Sequence, residues 1–440
     1  MSIEAPTPGQ PDAAELGAAV PQKARRRSLW FHADFMKLWT AQTISQLGDE
    51  VTELAIPLIA ILILGAGPFE MGVLGTLLFL PFILFTLPAG VWVDRLRRRP
   101  LMIAANLGRA VLLLSIPLAF ALDVLTLWQL FVIAFAVGAL QVFFDVAYQS
   151  YLPAVVERDQ LVEGNAKLEI SQAASSLPGP GIAGFLIAIV SAPFAIVVDA
   201  ISFLASAGLL GFIRRDEPTP ERTVDAATGK RTGMRTEIAD GLRYVLGNRY
   251  LRSIAACTGT FNLFGNIAGV LLLLYAVNQL GLRAEQIGIA FAIGNVGTLA
   301  AAFSSERIGR RIGVGPTIVA SAAVGAIPMA IIGLAPPEAA FGWLIGAFAI
   351  QSFTNVVYNV NQVSLRQAIT PTWMQGRMNA TMRFIVWGTI PIGALIGGVL
   401  GEVIGIRPTI WVAAVGIGLA FLPVLLSPVR TLQRIPEAAA

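Results

Sequence analysis

Gly90-Val91-Trp92-Val93-Asp94-Arg95-Leu96-Arg97-Arg98-Arg99 recurs 212 positions later as Ala302-Phe303-Ser304-Ser305-Glu306-Arg307-Ile308-Gly309-Arg310-Arg311. Each stretch runs through one acid into a cluster of arginines, the pattern of a membrane helix that ends in a short charged turn. A second pair keeps nearly the same offset: Gly179-Pro180-Gly181-Ile182-Ala183-Gly184 and Gly393-Ala394-Leu395-Ile396-Gly397-Gly398 lie 214 positions apart. Two motifs at almost one spacing imply an internal duplication. Such repeats are a signature of transporters whose halves rock about a site at the membrane midplane.

The rest of the chain supports that reading. Of 440 residues 55% are hydrophobic and 13% charged, and the mean hydropathy is +0.71, a membrane composition. Apolar runs long enough for a bilayer core of about 20 residues per helix start near 36, 71, 101, 126, 166, 193, 249, 285, 315, 338, 378 and 408. A polar stretch from Arg214 to Asn248 divides them six and six. The expected architecture is therefore an all-α membrane protein of twelve transmembrane helices in two pseudo-symmetric six-helix bundles, 35–213 and 249–428. A disordered tail (1–34), a linker (214–248) and a second tail (429–440) complete it. Alternate loops collect the basic residues: those on one side hold only Arg283 and Arg407, 2 of the 31. The positive-inside rule then places both termini and the linker in the cytosol and the protein in the plasma (inner) membrane as a multi-pass chain.

Counting also excludes chemistry. One cysteine, Cys257, and one histidine, His32, leave too few soft ligands for a zinc, haem or iron–sulfur site. The single Gly-Lys pair, Gly229-Lys230, lacks the flanking residues of a P-loop. No cofactor, metal, enzymatic activity or nucleic-acid partner is expected. The expected partners are a small-molecule substrate, protons and the lipid bilayer, with the protein acting as a monomer.

Polar stripes mark the interior. The first helix carries Gln42, Gln46, Asp49 and Glu53 on one face. The fourth offers Gln141, Asp145 and Tyr148; the seventh Thr258, Asn262 and Asn266; the tenth Gln351, Asn355, Tyr358 and Gln362. These are the first helices of four three-helix units, so their stripes describe a wet central cavity. Carboxylates in a membrane are costly, and two acids one turn apart discourage each other's ionisation, so Asp49 and Glu53 are the expected proton-coupling pair. Arg109 is the expected structural charge beside them. Asp199, on the sixth helix, reads as a packing or capping residue.

The G-x-x-x-D-R-x-x-R-R of Gly90 to Arg99 resembles the signature loop of the major facilitator superfamily. The resemblance extends over all twelve helices. Leu38-Trp39-x-x-Gln42-x-x-Ser45-Gln46-Leu47-Gly48-Asp49 and Asn106-Leu107-Gly108-Arg109-Ala110 are similar to the bacterial branch of macrolide-efflux and enterobactin-exporter proteins. Ser175-x-x-x-Gly179-Pro180-x-x-Ala183-Gly184 is similar to the antiporter motif of drug exporters, with Ser175 and Ala183 in place of glycines. The resemblance implies a major facilitator fold and a helix-five motif at Gly179, Pro180 and Gly184. Gly90, Asp94, Arg95 and Arg98, with Glu306, Arg307 and Arg310 in the second half, form the expected conformational latch. In it Asp94 caps a helix of the other half and Arg98 reaches an acid, Asp145 being the candidate; Asp145 reads equally well as a cavity residue. The function so implied is proton-coupled export of hydrophobic or amphipathic small molecules, of antibiotic or siderophore type, by alternating access. Import of a small nutrient, or a non-transporting scaffold, remains open from the residues alone.

Overall fold

The structure, a computed structural model, describes residues 29–93, 96–157, 160–214, 234–371 and 374–434. These residues are helical, with no strand among them. In the first half α1 (Ala33–Leu62), α2 (Pro68–Val93), α3 (Arg98–Ala121) and α4 (Leu127–Val155) are followed by α5 (Leu161–Ser176), α6 (Gly179–Val190) and α7 (Ala192–Gly211). After α8 (Met234–Gly247) come α9 (Arg249–Asn278), α10 (Ala284–Gly294), α11 (Val296–Ile312), α12 (Val314–Val324) and α13 (Ile327–Leu334). The chain closes with α14 (Ala340–Ala368), α15 (Gln375–Val403), α16 (Ile406–Leu419) and α17 (Leu422–Leu425).

Several of these are pieces of one span. Among the described residues ten helical stretches are long and apolar enough to cross a bilayer, and α5 with α6, bent by 42°, forms an eleventh. The bend falls at Leu177-Pro178-Gly179-Pro180, where two prolines withhold backbone donors. α1 has the length of a span at 30 residues, but Asp49, Glu50 and Glu53 in its middle lower its hydropathy. The architecture is consistent with the expected twelve, and helix starts lie within a few residues of those read from hydropathy.

Two stretches differ from expectation. Residues 29–34, read as part of a tail, are folded: Leu29 is buried and its N–H donates to Glu163 Oε1 at 3.1 Å. Trp30 packs on Trp39 edge to face and lies under the Lys167 ammonium at 3.7 Å. The other is the end of the polar linker, which forms α8; a Cβ on Gly241 would lie 2.3 Å from Thr381 Oγ1 of α15, so the glycine lets α8 pack closely there.

In the first half α7 packs on α1 and α3, and α4 on α2 and α3; in the second, α9 packs on α15 and α16, and α14 on α10, α11 and α12. Between them α2 packs on α15 and α6 on α10. These two crossings repeat one another through glycine. A Cβ on Gly72 would stand 2.6 Å from Gly398 Cα, and one on Gly288 would stand 2.9 Å from Gly184 Cα. Gly184 and Gly398 are the motif positions that sequence places 214 apart, and Gly72 and Gly288 occupy matching places on α2 and α10. Both contacts lie within about two turns of the end of the bundle opposite the chain termini, hereafter the far end. Thr76 Oγ1 donates to Pro391 O (3.1 Å) and Asn295 Nδ2 to Ser176 O (2.8 Å) across the same crossings. The halves are thus tightly joined toward the far end.

Candidate functional site

The polar stripe of α1 consists of Gln42, Gln46, Asp49 and Glu53. Gln42 and Gln46 each hold a buried Oε1 without a hydrogen-bond partner among the described residues, as does the Tyr148 hydroxyl of α4. Asp49 is half-buried, whereas Glu53, one turn on, is exposed. Glu50 lies against α6, where a Cβ on Gly179 would be 2.5 Å from its Cγ. Gly48, on the opposite side, receives α7: a Cβ there would be 2.3 Å from both Asp199 Oδ1 and Ser202 Oγ.

Arg109 of α3 organises the interior. Its side chain is fully buried, with the guanidinium 4.0 Å from the ring centroid of Phe203 and 4.7 Å from that of Phe144. It donates to Gln141 Oε1 and to Asn106 Oδ1. Gln141 passes the chain on by donating from Nε2 to Asp145 Oδ1 at 2.8 Å, and Asn106 donates to Ser206 Oγ at 2.9 Å. Asp49, Asp145 and Asp199 all stand within electrostatic reach of this one cation. Asp199, fully buried, accepts from Ser202 Oγ at 3.0 Å and from Thr52 Oγ1. One guanidinium cannot neutralise three carboxylates in a low-dielectric interior, so this arrangement has room for a further positive charge.

The structure brings Asp145 to the Arg109 cluster, and a second arginine reaches it from the other half. Arg383 lies within electrostatic reach of Asp145 and over the ring of Trp387 at 5.5 Å. Arg383 lies inside α15, eight residues from its start. Trp387 also meets Phe82 of α2 at 5.7 Å.

The polar residues of the second half are tied more tightly to their own bundle. Asn262 donates to Val386 O of α15 at 3.3 Å, and Asn266 to Asn262 O at 2.9 Å. Tyr358 is buried, its hydroxyl 2.7 Å from Thr258 Oγ1. Gln351 is half-buried and Asn355 exposed, while Gln362 Oε1 is buried without a partner among the described residues. Of the latch positions, Asp94 and Arg95 lie outside the described residues, Gly90 is in the last turn of α2, and Arg98 opens α3. Glu306 and Arg310 are exposed and form a 3.5 Å ion pair with each other, and Arg307 is exposed beside them.

Sequence reasoning missed Asp199 and Asn106 as members of this site. An acid inside an apolar helix was the available signal for Asp199. Asn106 had its place in the Asn106 to Ala110 motif and its spacing of three from Arg109, which puts both on one face of α3.

Residues 30–439 match the family model described as transmembrane secretion effector. The multidrug efflux pump Tap of Mycolicibacterium fortuitum is 26% identical over 75% of this chain and 80% of its own. The enterobactin exporter EntS of Escherichia coli O127:H6 is 24% identical over 90% of this chain and 91% of its own. Among solved structures, a bacterial homologue of the iron transporter ferroportin in an inward-facing state matches with a TM-score of 0.69 at 16% identity, covering 91% of this chain and 99% of that one. The chain belongs to the transmembrane secretion effector family of major facilitator superfamily transporters.

Proposed function

We propose that this transporter is a proton-coupled exporter of hydrophobic or amphipathic small molecules, working by alternating access between six-helix halves 35–213 and 249–428. The observation that carries the reading is the buried cluster in which Arg109 faces Asp49, Asp145 and Asp199, with Glu53 open beside it. The uncompensated negative charge can be balanced by protons in one state and by a cationic or polarised substrate in another, so that each ligand displaces the other. Export is supported by the similarity to the multidrug efflux pump Tap and the enterobactin exporter EntS. A cytosolic location for both termini is supported by the scarcity of basic residues in the opposite loops, which hold only Arg283 and Arg407 of the 31.

Under this reading protons enter from the far end to reload the acids, and substrate enters from the side of the termini when the halves separate there. Asp49 and Glu53 are the coupling pair, and Asp145 and Asp199 set the field in which they act. The test is substrate affinity as a function of pH for wild type, Asp49→Asn and Glu53→Gln, with proton release on substrate addition in weakly buffered detergent. Wild type should release protons, and at least one variant should bind without release. Affinity independent of pH between about 5.5 and 8.5, or a double variant that still concentrates substrate against a gradient, would remove the coupling role.

A further inference from the structure

α11 and α12 are joined through Gly313 alone, whose φ of +97° makes the reversal that a side chain would oppose. Both helices pack on α14, yet they touch each other little. A groove of about 670 Å³ is left between them, floored by α14. Its walls include Ala300, Ile308 and Ile312 on one side and Ala320 and Val324 on the other, with Phe353 at the base. The hydroxyls in the lining are all used internally: Thr317 donates to Gly313 O (2.7 Å), Ser321 to Thr317 O (2.7 Å) and Thr354 to Ile350 O (2.8 Å). The groove therefore offers a ligand only hydrocarbon contact. Along α11 from Val296 to Ile312 it has a rise of about 24 Å at 1.5 Å per residue, most of a bilayer core of about 30 Å.

The charge at one end of the groove identifies what fits it. Arg307 and Arg311, both exposed, lie on the last turns of α11 next to Ile308 and Ile312. Arg310 is also exposed, and it shares the one acid of the turn, Glu306, at 3.5 Å. The chain's last described segment is pinned to the same end: Gly315 N donates to Leu432 O at 2.8 Å and Val314 N to Gln433 O at 3.4 Å. This brings the exposed Arg430 and Arg434 alongside. Within 306–311 and 430–434 there are five arginines and one acid. An apolar slot that ends in concentrated positive charge at membrane-surface depth complements a phosphate ester carrying an acyl chain.

We propose that the α11–α12–α14 groove is a binding site for one anionic diacyl phospholipid, an acyl chain lying against Ala300, Ala320 and Phe353 and the phosphate held by Arg307 and Arg311. The inference rests on membrane embedding and is independent of the transported substrate.

The test is native mass spectrometry of the full chain in detergent, titrated with dioleoyl phosphatidylglycerol and, separately, dioleoyl phosphatidylcholine. Wild type is expected to retain one phosphatidylglycerol at least tenfold more tightly than phosphatidylcholine. Arg307→Ala with Arg311→Ala should lower phosphatidylglycerol affinity about ten- to thirtyfold and leave phosphatidylcholine unchanged; Arg307→Lys with Arg311→Lys should restore most of it. Ala320→Phe, or Ala300→Leu where the first does not fold, should weaken both lipids. Equal retention of the two lipids by wild type would overturn the proposal. So would unaltered phosphatidylglycerol binding in the arginine variant, displacement of the lipid by a cationic dye at substrate concentrations, or a groove-filling variant that dissociates a dimer without changing lipid binding.

Discussion

Alanine at Gly288 places its Cβ 2.3 Å from Pro180 O and 2.9 Å from Gly184 Cα, and alanine at Gly398 places it 2.7 Å from Gly72 Cα and 2.9 Å from Pro68 O. These neighbours are backbone atoms, which cannot rotate away. Ordinary van der Waals contact begins near 3.4 Å, so α10 must retreat from α6, or α15 from α2, by up to about 1 Å. Overpacking of this kind costs about 1–3 kcal/mol. The penalty falls only on the state in which the far end is closed, because separation of the halves there removes the contact. The expected result is a shift of about 5- to 150-fold toward a state open at the far end. Fully buried cores would lose stability by the same amount without any change in access, which makes access the discriminating readout. The assay is labelling of Asn355→Cys in a Cys257→Ser background by a membrane-impermeant maleimide, in intact cells and in inverted vesicles. Gly288→Ala and Gly398→Ala should each raise labelling from the side of the far end and lower it from the side of the termini. Gly208→Ala, where a Cβ meets nothing within 4 Å, should do neither. Unchanged labelling in both interface variants, or the same change in all three, would refute the assignment of these glycines to a closing contact.

Three further outcomes are expected. Arg109→Ala, which strands several acids and removes a cation stacked on Phe144 and Phe203, should cost about 3–5 kcal/mol in detergent unfolding; Arg109→Lys should recover only part, since an ammonium cannot bridge Gln141 and Asn106 as a planar fork does. Asp94→Asn or Arg98→Ala should slow transport in reconstituted vesicles by about ten- to a hundredfold while insertion is unaffected, and unchanged turnover would reduce the loop to an anchor. Glu338→Cys in the Cys257→Ser background should label from outside the cell only, because Glu338 lies in a far-end turn; labelling from the cytosolic side alone would overturn the topology.

Helix positions and the duplication were legible because each is written along the chain itself. Hydropathy marks a span wherever it packs, and the 212 and 214 offsets survive any rotation of the helices. What the sequence leaves open is which neighbour each helical face meets. The stripe Thr258, Asn262, Asn266 looks like cavity lining by its period, yet Asn262 is turned to the backbone of α15 and Tyr358 is buried against Thr258. Asp199 shows the converse. On α7 it sits among apolar and small residues, and its meeting with Thr52 and Arg109 arises only because Gly48 of α1 admits the α7 side chains. A stripe of polar residues encodes a direction; its partner is encoded by small residues on another helix, often far away in sequence.

The same division explains why the helix-five motif matters to the acids it never touches in sequence. Gly179 receives the side chain of Glu50, and Gly184, less than two turns along α6, receives Gly288 of the other half. One short helix therefore carries an intra-half contact at one end and an inter-half contact at the other. Glu50 is adjacent to Asp49 and one turn from Glu53 on α1, so α6 cannot swing away from α10 without disturbing the helix that carries the acid pair. The pseudo-symmetric α15 is built alike: Gly393 and Gly397 meet Leu263 and Ile267 of α9, while Gly398 meets Gly72 of α2. On the second side, however, the α9 residues so contacted, Leu263, Asn266 and Ile267, are uncharged, with no acid in the corresponding place. The duplication supplied two equivalent joints, and charge was placed beside only one of them. Under the proton coupling proposed above, that asymmetry assigns the ion-responsive element to the α1–α6 contact, with α9–α15 as its uncharged counterpart.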